Sequence, residues 1–102
     1  MLDESLKAQI LDILSQNLDI ENFTVFLFGS FARGDEKRYS DIDIGILGKE
    51  PVDGVKVSRM RQELEEKAKT LRGIDFVDFS SVNDEVFKKD AIKYFGNMSI
   101  VF

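Results

Sequence analysis

The chain contains no cysteine and no histidine. A zinc site of the usual kind needs thiolate or imidazole ligands and is therefore excluded, and the lack of cysteine is in keeping with a reducing compartment. Also missing is any apolar run long enough to span a bilayer, and the opening MLDESLKAQ is acidic and polar, unlike a signal sequence. We expect a cytoplasmic protein with no membrane association. A surplus of positive charge is absent too: the net charge is −5, whereas a general nucleic-acid binder needs a basic surface. Direct nucleic-acid binding is not expected. There are no internal repeats, low-complexity tracts or linkers, and 102 residues cannot hold two domains. The expectation is one small α/β domain over residues 1–102, a mixed sheet packed against helices.

Hydrophobic spacing sets out the elements. Leu6, Ile10, Ile13, Leu14 and Leu18 fall on one helical face, so Leu2 to Leu18 reads as a first helix with Asp3 or Ser5 at its start. Phe23 to Phe28 (FTVFLF) is a continuous apolar run rich in aromatic and β-branched residues, as in a strand buried on both faces. Asp41 to Leu47 reads as a second strand, and the turn Lys49-Glu50-Pro51 holds the single proline. Val55 to Leu71 reads as an amphipathic helix with Val57, Met60, Leu64, Ala68 and Leu71 on its apolar side and Gly73 marking its end. A third strand follows within Gly73 to Val82. Asn83 or Asp84 then caps a last helix through Tyr94, and NMSIVF is a short apolar tail in which Ile100-Val101-Phe102 reads as a small extra strand or core plug, or else as part of an interface.

The chemistry concentrates in Gly29 to Asp43, GSFARGDEKRYSDID. Gly29 ends the first strand with the sharp departure and close backbone approach that a phosphate requires, and Ser30 adds a hydroxyl and an N–H. Ser30 to Arg33 then reads as the first turn of a short helix whose free N–H groups face a triphosphate, with Arg33 as a nearby positive charge. Gly34 breaks that helix, and Asp35 to Ser40 forms a loop in which Tyr39 is expected to pack rather than to stack on a base. Asp41 and Asp43 project from the same face of the next strand, roughly 6.5–7 Å apart at Cα. Two carboxylates so close in an apolar strand are costly without compensating cations. Magnesium suits them, because it binds oxygen ligands through one or two carboxylates together with substrate phosphates.

A third carboxylate belongs on the neighbouring strand. Asp75 and Asp78 are three residues apart and point to opposite faces, so only one can join the site. Asp75, flanked by Ile74 and Phe76, is the choice; Asp78 then faces solvent or caps a helix.

The string GSFARGDEKRYSDID resembles the signature of the minimal nucleotidyltransferases, small members of the DNA polymerase beta-like superfamily: Gly-Ser, ten residues, then Asp-x-Asp. Arg33-Gly34 and Ser40 belong to the match, and Ile74-Asp75-Phe76-Val77 is similar to the strand bearing the family's third carboxylate. The resemblance implies the nucleotidyltransferase fold and two Mg2+ ions held by Asp41, Asp43 and Asp75. It also implies nucleotide contacts from Gly29, Ser30, Arg33 and Ser40, and transfer of a nucleoside monophosphate, usually AMP from ATP, to an acceptor hydroxyl. Asp75 is suited to assist deprotonation of that hydroxyl.

After the third strand only Asn83 to Phe102 remain, fewer residues than the helical acceptor-binding domain of larger relatives. The resemblance therefore implies a separately encoded helical partner of the HEPN type, with this chain as the antitoxin that adenylylates a tyrosine on a toxin, or a helical subunit that binds a small-molecule acceptor. A homo-oligomer is left open. The alternative in a different class is a nucleotide- or protein-binding module that neutralises a partner by occlusion and transfers nothing.

Overall fold

Asp3 starts the first helix: its side chain accepts from the Ser5 N–H at 2.8 Å, satisfying one of the donors a helix N-terminus leaves open. The computed structural model describes residues 2–81. Within them α1 spans Glu4–Ser15, β1 Thr24–Phe28, α2 Gly29–Arg33, β2 Ile42–Leu47, α3 Gly54–Lys67 and β3 Ile74–Asp78. Single 3-10 turns lie at Ile20–Asn22 and Phe79–Ser81. The expected last helix from Asn83 and the tail NMSIVF lie outside the described residues.

The three strands form a mixed sheet in the order β1-β2-β3. β1 and β2 are antiparallel, and β2 and β3 run parallel through the α3 crossover. Strand alternation separates the sheet into two faces. Val25, Leu27, Ile42, Ile44, Ile46, Ile74 and Phe76 join Ile10, Ile13 and Leu14 of α1, Met60 and Leu64 of α3, and Phe31 of α2 in one core. The helices therefore cover that face. On the other face Phe26 and Phe79 are buried with Phe28, Leu47 and Val77 against them. Phe79 meets Phe28 edge-on at 5.1 Å and Phe26 at 5.3 Å between ring centroids, contacts that contribute about 0.5–1.5 kcal/mol each beyond simple area burial. Gly45 makes room for them, since a β-carbon there would lie 2.6 Å from the Phe26 ring and 2.7 Å from that of Phe79.

One expectation is corrected and two are narrowed. α3 stops at Lys67 rather than Leu71, because Ala68 turns extended and the chain descends toward β3; Leu71 is fully exposed instead of lining the apolar side. β3 lies within Gly73 to Val82 as expected and ends at Asp78, where the chain tightens into the turn Phe79–Ser81. Of its two expected places, Asp78 takes the capping one and is not exposed to solvent. It is 4% exposed, and its carboxylate accepts from the N–H groups of Val52 (2.8 Å) and Ser80 (2.9 Å), capping that turn and fastening the approach to α3.

Candidate active site

β1 delivers the chain to Gly29, and α2 begins there without a break. Gly29 has φ +69°, a left-handed conformation that side-chain-bearing residues rarely adopt. A second constraint acts on the same residue: a β-carbon on Gly29 would overlap Oδ2 of Asp43. The turn is glycine because a carboxylate lies against its backbone. Ser30 follows half-buried in the first turn of α2, where the leading N–H groups have no partner within the helix. Gly34, at φ +77°, closes α2 in the left-handed cap that ends so many helices.

The register brings the acidic groups together. Asp43 pairs with Phe28 across the antiparallel ladder and with Asp75 across the parallel one. Asp43 and Asp75 therefore stand side by side on the sheet face away from the helices. Asp43 is half-buried and Asp75 exposed. Partial burial pushes the Asp43 carboxyl up to about 6, with further upward contributions from the charge of Asp75, a hydrogen bond between the two side chains and the charge of Asp41; Arg33 pulls weakly the other way. Two carboxylates in this position share a proton or a cation. Asp41 lies just before β2 rather than in it, and its Oδ1 rests over Gly73, 2.6 Å from where a β-carbon would be. Among the described residues no group of three or more acidic side chains is arranged as a ready metal cage. The donors at hand are the facing pair, with Asp41 at its edge. Carboxylate oxygens alone suit a hard cation such as magnesium, which is commonly held by one or two carboxylates and the phosphates of a nucleotide.

The remaining members of the motif have partners of their own. Arg33 forms an ion pair with Asp35 (Nε to Oδ2, 3.2 Å). The Ser40 hydroxyl accepts from the Lys37 N–H at 2.7 Å, so it shapes the loop. Tyr39 is 84% exposed and does not pack against that loop as expected; the turn of Lys37 to Ser40 carries its ring outward. Arg72 was not legible as part of this region, since its partners are backbone atoms more than thirty residues upstream. Its guanidinium donates to the carbonyls of Lys37 (2.7 Å) and Ser40 (2.9 Å) and lies over the Phe31 ring at 5.0 Å. An open cleft of about 720 Å3 lies at the other end of the sheet, between Asn17 to Phe23 and Lys49 to Lys56, and contains none of these residues.

Residues 8–95 match the family model described as "Polymerase beta, Nucleotidyltransferase". A probable protein adenylyltransferase, MntA, of Haemophilus influenzae is 31% identical over 84 residues, covering 74% of this chain and 73% of that protein. Among solved structures, a toxin-antitoxin with AMP-PNP superposes with a TM-score of 0.64 at 23% identity, over 96% of this chain and 85% of that one. The complex of a tri-AMPylated Shewanella oneidensis HEPN toxin with its MNT antitoxin gives 0.62 at 18%, over 96% and 84%. At these identities the solved structures establish the shared fold.

Proposed function

The chain belongs to the polymerase beta nucleotidyltransferase family, and from that membership and its acidic site we propose that it transfers AMP from ATP to a hydroxyl on a separately encoded helical protein of the HEPN type, acting as the antitoxin of a pair. The observation that carries this is the juxtaposition of Asp43 and Asp75 beneath the Gly29 turn. A purely structural role would not set two carboxylates against each other on adjacent strands, where burial and repulsion both oppose their charge.

The residues divide the work. Gly29 and Ser30, at the opening of α2, present backbone N–H groups and a hydroxyl to the triphosphate. Arg33 adds positive charge beside them and already favours the charged form of Asp43. Asp43 and Asp75, with Asp41 at their edge, would hold magnesium, which when bound supplies activation of the hydroxyl and neutralisation of the phosphate charge. Asp75, exposed beside the reacting centre, accepts the proton of the acceptor hydroxyl. The hydroxyl oxygen bonds to the α-phosphorus, the bond from that phosphorus to the bridging oxygen breaks, and pyrophosphate leaves with the electron pair. Positioning and charge stabilisation supply most of the acceleration. The chain acts in the cytoplasm, where ATP and magnesium are present.

The relatives support this reading by what their own names state: a protein adenylyltransferase, and an antitoxin bound to an AMPylated toxin. The test is to purify the chain from its native cells together with its copurifying proteins and to add magnesium and ATP radiolabelled at the α-phosphate. Label is expected on a copurifying polypeptide with the parent chain and none with Asp43→Asn. Absence of label with the parent, accompanied by intact nucleotide binding, would make it an occluding module instead.

A further inference from the structure

Three consecutive residues at the mouth of the site are held by two others. Ser40 offers its carbonyl to the Arg72 guanidinium at 2.9 Å. The Asp41 carboxylate rests on Gly73, where a side chain would collide with it. The Ile42 N–H donates to the Gly73 carbonyl at 2.9 Å, the bond that opens the β2–β3 ladder at Ile42 and Ile74. The same guanidinium also donates to Lys37 at 2.7 Å and lies over Phe31, the buried residue of α2 that follows Ser30. Arg72 thus ties the loop between α2 and β2 to the start of the strand that carries Asp75.

We propose that Arg72 is a positioning residue for the transfer reaction, setting Asp41 against the Asp43–Asp75 pair through the Ser40 carbonyl and the Gly73 contact. It rests on the reading of the site given above. The physical case is the asymmetry of Asp41. Asp43 is fixed by hydrogen-bonded ladders on both sides, whereas Asp41 precedes the strand and is exposed. Its backbone would be free to swing were it not for Arg72 and Gly73. One guanidinium nitrogen, Nη1, serves both carbonyls while the planar group lies over the Phe31 ring, and an ammonium has no plane to lay on a ring. Arg72 is remote from the nucleotide motif in sequence and touches it through two main-chain carbonyls and the Phe31 ring.

Groups that orient a metal-binding side chain typically alter metal affinity by roughly tenfold to hundredfold when removed. Arg72→Met keeps the stem and removes the donors; Arg72→Lys keeps the charge and N–H donors but loses the planar group over Phe31. Arg59→Met, on the exposed side of α3, serves as the control. Two readouts are needed. The first is backbone hydrogen exchange on the metal-free protein: Arg72→Met should speed exchange of the Ile42 amide about tenfold or more while Ile44 and Ile46 keep parent protection. The second is binding of Mn2+, followed by its paramagnetic signal, which should weaken by roughly tenfold to hundredfold in Arg72→Met and be partly recovered in Arg72→Lys. Parent-like exchange at Ile42, parent-like Mn2+ binding, or equal loss of protection across the whole of β2 would each overturn the proposal. Should the exchange and Mn2+ results hold while the parent chain transfers no AMP, the reaction is misassigned and the positioning role stands. Should the parent transfer AMP while Arg72→Met binds Mn2+ as the parent does, the reverse follows.

Discussion

Gly29 and Asp43 compete for one volume: the place a β-carbon would take on Gly29 is filled by Oδ2 of Asp43. Neither residue is explained by its own element. Gly29 ends β1 with a positive φ, and Asp43 sits within β2, yet the antiparallel pairing of Phe28 with Asp43 brings turn and carboxylate into contact. The turn proposed to seat phosphate and the acid proposed to hold metal are thereby set in one fixed relation.

Gly29→Ala tests that relation. The left-handed conformation should cost about 1–2 kcal/mol, which lowers the melting temperature by roughly 5–10 °C in a domain of this size. The displaced Asp43 should reduce transfer on the order of a hundredfold. Thermal denaturation and a labelled-ATP assay, run at a temperature where the variant is folded, separate the two effects.

Asp43→Asn should be inactive and yet more stable than the parent when divalent cations are removed. The folded carboxyl titrates at about 6 against an ordinary 3.8, so between those values the folded state binds more protons than the unfolded. Stability is then fully present below the lower value and is lost as pH rises through the upper one. Removing the charge removes that loss. Because Asp43 is only half-buried, the gain above about pH 6 should be on the order of 1 kcal/mol after screening. Denaturation in EDTA across this range should show parent and variant alike near the lower value, with a gap that opens between the two values and is complete above the upper.

Asp75 and Asp78 should part company. Asp75→Asn is expected to abolish transfer with little change in stability, since the residue is exposed. Asp78→Ala strands the Val52 and Ser80 amides and should cost about 1–3 kcal/mol per unsatisfied donor, with transfer retained at low temperature. Parallel melting curves and initial rates check both halves.

How far the sequence foretold these features depends on distance along the chain. The strand FTVFLF, the Gly-Ser turn, the short helix closed by Gly34 and the Asp3 cap are all local patterns, and each lies where its residues place it. The α/β class and mixed sheet follow from the same signals. Alternation alone correctly separated Asp75 from Asp78 onto opposite faces but could not say that Asp78 would be buried, because one of its partners, the Val52 amide, lies on a distant segment. Leu71 continued the helical spacing of Val57, Met60, Leu64 and Ala68, but periodicity does not record where a helix must end for the chain to reach β3. Arg72 left no trace in any pattern, since carbonyl acceptors carry no residue signature. Tyr39 looked like a loop-packing aromatic and is exposed, because the turn that carries it is closed by Ser40 and Arg72 rather than by its ring.

The central claim is that Asp43 and Asp75 grip a divalent cation beneath a polyphosphate seated at Gly29 and Ser30. A crystal of the protein soaked with magnesium and a non-hydrolysable ATP analogue measures this directly. The account predicts triphosphate density over the start of α2, with metal bound to oxygens of both aspartates. A nucleotide seated elsewhere, such as in the cleft beside Lys49 and Lys56, or a metal held without Asp43, would contradict it.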